Sequence, residues 1–167
     1  MPKIDFSHKP TQWVVLGLLA LTWGSSFILM KKALVFFSST EVASFRIAIA
    51  ALVLLPISLR NLSKIKGHFW PLLATGLFGN AIPAFLFALA QTQIPSGLTG
   101  ILNSLTSLFT LLIGVVLFRS KTTFAQVSGV LIALVGAAGL IGFDNLFQFS
   151  EYGRYSLLVV AASGMYG

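Results

Sequence analysis

The chain has 167 residues, of which 56% are hydrophobic and only 9% charged, and it contains no cysteine. Ordinary soluble domains carry about 25% charged residues, so a soluble globular fold is excluded; without cysteine, so are disulfides and thiolate metal sites. The net charge of +7 would suit a nucleic-acid binder, but the basic residues fall in short links between apolar runs rather than on one soluble face, and nucleic acid is not an expected partner.

Apolar segments follow one another over 13–30, 42–59, 69–90, 97–118 and 124–143. Each is close to the roughly 20 residues a helix needs to cross the hydrocarbon core. A sixth, 155–167, would rise only about 20 Å, short of a core of about 30 Å. The expected fold is an all-α integral membrane protein with five transmembrane helices and a truncated sixth. Its organisation reads as a cytoplasmic tail over 1–11, a five-helix membrane repeat over 12–143, an outer loop over 144–154 and the start of a second repeat over 155–167.

Lys3, His8 and Lys9 precede the first segment as they would a signal peptide. A cleavage site needs small residues after the apolar run, whereas Lys31 and Lys32 follow here, so the segment reads as a retained span. With the N-terminus inside, Lys3, Lys9, Arg60, Lys64, Lys66, Arg119 and Lys121 fall on the inner side, and only Lys31, Lys32 and Arg154 on the outer. That asymmetry orients a multi-pass inner-membrane protein with a cytoplasmic N-terminus.

Span 1 carries Thr22-Trp23-Gly24-Ser25-Ser26. Trp23 is far from the interfacial belt, so its ring N–H needs a partner. The group reads either as part of a site for an amphipathic solute or as tight packing around Gly24. Lys31 either ends the span or faces inward near the outer mouth. In span 2, Arg46 sits about one turn inside. A charge there marks a pathway or a partner such as Glu41, unless the side chain snorkels outward.

Span 3 holds Gly76, Gly79, Asn80 and Pro83. Pro83 lacks an N–H, which frees the carbonyl of Gly79 and predicts a kink. Asn80 then either faces a cavity beside a hinge or sits at a packing kink. Gln91, near the outer end, either lines a mouth or is solvated, and solvent is the expectation. In span 4, Thr99, Asn103, Thr106 and Thr110 share one face, widened by Ser104 and Ser107. They form either the polar wall of a substrate path or interhelical hydrogen bonds; the capacity of the Asn103 amide favours the path. Span 5 repeats small residues at Ala125, Gly129, Ala133 and Ala137, which predicts close helix packing within the chain or against a second copy. The last residues place a Tyr166-Gly167 pair late in an apolar run, as Trp23-Gly24 does in span 1. The parallel suggests the opening of a second, inverted repeat.

The acids are Asp5, Glu41, Asp144 and Glu151, and the histidines are His8 and His68. None of these groups pairs with a nucleophile at mid-span, so no enzyme activity, cofactor or metal is expected.

Taken together, Trp23-Gly24-Ser25-Ser26-Phe27 with Lys31, Ser44-Phe45-Arg46, the 79–91 stretch, the 109–121 stretch, and Gln126 to Gly139 resemble the N-terminal half of an EamA-type transporter of the drug/metabolite transporter superfamily. The chain departs from that family's pattern at Ser107, where the family often has Pro, and at Ser120, where it often has Glu. The first bears on the bend of span 4, and the second removes a loop ion pair. The resemblance implies two inverted five-helix repeats and alternating access to a central cavity. The matching cavity positions are Trp23, Ser26, Lys31, Arg46, Asn80 and Asn103. The expected function is a secondary transporter or exporter of small metabolites, amino-acid-like solutes or drugs. Its expected partners are the lipid bilayer, a small-molecule solute and a second five-helix repeat. The alternatives are a half-size dimeric multidrug-type transporter, which lacks its Glu in span 1 here, and a non-transporting scaffold.

Overall fold

The computed structural model describes residues 9–61, 67–141 and 149–167. Six helices run through them: α1 (Lys9–Ala33), α2 (Ser39–Arg60), α3 (Phe69–Gln91), α4 (Ser96–Val116), α5 (Phe124–Ile141) and α6 (Phe149–Tyr166). No strand occurs among the described residues. Helices α1 to α4 are each long and apolar enough to cross a membrane, and α5 contributes a shorter apolar stretch over Phe124–Gly136. The protein is an all-α membrane protein, and the broad faces of Trp13, Leu52, Val53, Trp70, Ile132 and Val135 are left exposed, as lipid-facing side chains would be.

Two boundaries differ from those read off the sequence. Helix α1 begins at Lys9, inside the expected tail, and continues through Lys31 and Lys32 to Ala33. Helix α6 begins at Phe149, inside the expected 144–154 loop, so its 18 residues rise about 27 Å rather than 20. In both cases the helix outruns the apolar run. Lys, Glu and Arg are good helix formers, and polarity ends a hydropathy window without ending a helix.

Local signals set the starts of α2 and α5. Ser38 accepts a hydrogen bond from the Glu41 amide, and Glu41 accepts from the Ser38 amide and hydroxyl, closing a capping box at α2. Thr123 and Gln126 do the same for α5. Glu41 is thus committed to its own helix end rather than to Arg46.

Helix α3 is not regular. Residues Leu77–Ala81 form a π-turn, with the Ile82 amide donating to the Leu77 carbonyl. Pro83 follows directly. Its ring crowds the carbonyl four residues back and offers no N–H, and the widened turn absorbs both effects. The kink expected at Pro83 takes this form.

The core lies at one end of the bundle. Met30, Val42, Ala43, Phe87, Ala88, Ala90, Ile94, Leu98 and Leu102 are buried around the α1–α2 and α3–α4 turns, joined by Val159 and Ala162 of α6. Helix α6 packs mainly against α3 and α4, and Ser163 donates its hydroxyl to the Leu102 carbonyl at 3.2 Å. Its tail is therefore an integral part of this core.

Short loops do not make every pair of neighbours pack. Helices α1 and α2 meet at their shared turn, where Phe37 and Phe45 pack edge to face, and then leave a groove between them. Helix α2 lies instead on the second half of α3.

Candidate functional site

A cavity of about 690 Å³ sits at mid-bundle, lined by Trp23, Ser26, Phe27, Arg46, Asn80, Phe87, Asn103, Ser104, Thr106, Ser107, Thr110 and Tyr166. Each helix delivers its residues for an identifiable reason. The regular period of α4 aligns Asn103, Thr106 and Thr110. The π-turn of α3 carries Asn80. From α1 come the aromatic, Trp23, and a hydroxyl, Ser26; α2 supplies the charge, Arg46; and α6 supplies Tyr166. An aromatic wall forms where Phe87 stacks on Tyr166 at 5.9 Å and tilts against Phe27 at 5.8 Å.

Among the described residues, no side chain of the polar stripe of α4 hydrogen-bonds to a neighbouring helix. Interhelical bonding would require the hydroxyls to reach neighbouring helices. Instead Thr99 donates to the Pro95 carbonyl, Ser104 to Ile101 and Thr110 to Thr106, all within α4. The Thr106 hydroxyl is buried with no hydrogen-bond partner among the described residues. Nor do the Asn80 and Asn103 side chains bond to any described residue. Asn80 is exposed and Asn103 half-buried, so both amides are open to the cavity, whereas the buried Thr106 hydroxyl is the group whose missing partner costs about 1–3 kcal/mol.

Arg46 lies deeper than the sequence suggested. Because α2 starts at Ser39, Arg46 is about 10 Å along the helix rather than one turn in. Its nearest polar contact is soft, Nη1 to the Met30 sulfur at 3.8 Å. Glu41, the only carboxylate whose side chain is described, caps its own helix on a different face. Arg46 therefore has no anionic partner among the described residues.

Several expected residues fall elsewhere. Lys31 does not line the cavity: its ammonium donates to the carbonyls of Gln91 at 2.6 Å and Ile94 at 3.1 Å, where it caps the C-terminal end of α3. Pro83 is buried behind the π-turn and shapes the backbone rather than facing the cavity. Trp23 is 67% exposed, and its ring N–H has no partner among the described residues, contrary to the expectation for a mid-span tryptophan.

Gln91, expected in solvent, is 0% exposed, and neither end of its amide is hydrogen-bonded. Sequence position at a helix end suggested water; the fold of the α3–α4 turn over it removes that water. The aromatic wall was also missed, because Phe27 and Phe87 look like ordinary apolar residues in an apolar run.

Among the described residues, nothing packs closely on the small-residue face of α5. A Cβ placed on Gly129 meets nothing within 4 Å, and Ala133 is exposed. Ala137 lies outside the residues whose side chains are described. Ala125 and Gly129 instead border a second space of about 580 Å³ with Ser120, Lys121, Thr122 and Gln126. Ser107 and Thr110 border both this space and the central cavity, so polar groups continue along α4 from mid-bundle to the α4–α5 link.

Comparison with known proteins bears on this arrangement. The EamA-like transporter family matches residues 11–142. An uncharacterized transporter of Archaeoglobus fulgidus is 31% identical over 126 residues, which cover 75% of this chain and 45% of that protein. An uncharacterized transporter of Haemophilus influenzae is 29% identical over 150 residues, covering 87% of this chain and 48% of that protein. The chain spans about half the length of the curated relatives it matches. No solved structure matches it significantly.

Proposed function

The chain belongs to the EamA-like transporter family, and from that premise we propose that it forms one wall of the solute path of a secondary transporter that moves small organic metabolites across a cell membrane by alternating access. The observation that carries this reading is the convergence of Asn80, Asn103 and Thr106 on one cavity, none hydrogen-bonded through its side chain among the described residues and the Thr106 hydroxyl buried. Packing alone would favour apolar or paired side chains along this face of α4.

A second five-helix unit would complete the path. Supporting this, the relatives are about twice the matched length, and the two aromatic-glycine pairs of the sequence bring Trp23 and Tyr166 to the same cavity. The Lys/Arg bias supports a cytoplasmic N-terminus. On that orientation the buried core lies toward the outer end and the polar groups along α4 lead inward, which fits an inward-facing state.

Asn103→Leu tests the reading. In proteoliposomes it should abolish counterflow of small organic solutes while the chain inserts at normal abundance. Unchanged flux would remove Asn103 from the path and bring the scaffold reading forward.

A further inference from the structure

Arg46 and Ser26 border two spaces at once. On one side is the polar cavity; on the other is the α1–α2 groove, about 440 Å³, lined by Leu29, Phe37, Phe45 and Ile49 among others. The groove is mostly apolar: besides the junction its hydroxyls are those of Thr22 and Ser25, which bond back to carbonyls of their own helix. The Ser26 hydroxyl, like the Arg46 guanidinium, has no hydrogen-bonded oxygen partner among the described residues. Charges within a span are costly unless paired, and an incoming anion would supply the partner that exposed Arg46 lacks.

We infer that the junction is a binding subsite for a small amphipathic carboxylate, with its oxyanion held by Arg46 and Ser26 and its apolar body in the α1–α2 groove. This inference rests on the cavity being a solute site and names the class of solute. Two physical arguments fix the orientation. A guanidinium presents a planar fork that matches a carboxylate, and hydrogen bonds to an ionised group are the strong ones. The apolar body belongs in the groove, because lodging it in the polar cavity would cover Asn80, Asn103 and Thr106 and leave them unpaired. Any neutral polar group on the solute can meet those residues instead. A phospholipid headgroup offers related anionic chemistry. The free solute is favoured because Arg46 also borders the cavity at mid-bundle, about 10 Å along α2, below the headgroup level.

The test uses Trp23, which borders the same cavity, as the reporter. With Trp13→Phe and Trp70→Phe in the full-length protein, its emission is the only tryptophan signal from this chain's spans. In zwitterionic nanodiscs, 3-(4-bromophenyl)propanoate should quench Trp23 saturably. The matching amine, 3-(4-bromophenyl)propylamine, should give only the unsaturable slope of partition into lipid. Arg46→Gln should raise the half-saturating concentration of the acid roughly tenfold or more, while Arg46→Lys keeps most of the affinity. Equal binding of acid and amine, or an unchanged Arg46→Gln variant whose fold is intact by circular dichroism, would overturn the inference. Loss of acid binding when phosphatidylglycerol is added would also overturn it, by giving the subsite to lipid. Flux measured on the same protein separates the two readings. Saturable, Arg46-dependent binding without flux keeps the subsite and removes transport. Flux of neutral solutes without carboxylate binding keeps transport and removes the subsite.

Discussion

The two ends of this bundle are built from the same kinds of residue and do opposite things. At the end formed by the α1–α2 and α3–α4 turns, small residues let helices meet. Ala43, Ala88 and Ala90 are fully buried, and Ile94 plugs the turn between α3 and α4. Lys31 ties α1 to the last carbonyls of α3. At the other end, Gly129 and the exposed Ala133 of α5 make no comparable closure, and polar groups run from Asn103 to Gln126 through Ser107 and Thr110. Small residues therefore permit close approach but do not impose it. What distinguishes the closed end is a partner helix, α6, seated against α3 and α4.

The largest effect should come from adding bulk where the two spaces of the open side meet. Ser107→Trp, where the two spaces share a wall, should reduce solute flux to background with normal membrane abundance. Leu131→Trp, on the exposed face of α5, should leave flux unchanged. Equal loss in both would mean that bulk anywhere disrupts the bundle, and the contrast between the ends would fail.

The closed end is next. Lys31→Met leaves the Gln91 and Ile94 carbonyls without their donor and should cost about 1–3 kcal/mol, read as a lower thermal midpoint in detergent, with Lys31→Arg recovering most of it. Gln91→Leu sharpens the same region with the opposite sign. Removing a buried, unpartnered amide should stabilise the protein by about 1 kcal/mol. A drop in the midpoint would show that the amide meets a water or a solute at the closed end.

The smallest effect concerns the link beyond α4. Arg119 adopts a left-handed backbone with φ of 50°, and the Ser120 amide turns back to the Gly114 carbonyl. Arg119→Gly relieves that strain against the added entropy of glycine, for a net gain of about 0.5 kcal/mol. A loss of stability would mean that the guanidinium makes an anchoring contact at the membrane surface.

Much of the architecture is legible in the sequence, because crossing a membrane imposes a length and a polarity that hydropathy reads directly. The polar face of α4 was legible for a similar reason, since the helical period aligns Asn103, Thr106 and Thr110. Pro83 announced an irregular turn. The rest depended on which helices meet. Lys31 looked like a cavity residue until α3 ended beside it, and Gln91 looked solvated until the α3–α4 turn folded over it. Arg46 gained depth because the Ser38–Glu41 box starts α2 earlier than its apolar run. The separation of α1 from α2 has no local signal, because it follows from α2 lying on α3.

The contrast between the ends can be tested directly because the chain has no cysteine of its own. Thr110→Cys and Thr99→Cys each place one thiol on α4, the first beside the open path and the second in the buried end. Each would be treated with a membrane-impermeant maleimide from either side of oriented vesicles. The expected result is rapid labelling of Thr110→Cys from the side that carries the N-terminus and none of Thr99→Cys from either side. Labelling of Thr99→Cys as fast as Thr110→Cys, or labelling of Thr110→Cys only from the opposite side, would contradict a path closed at one end and open at the other.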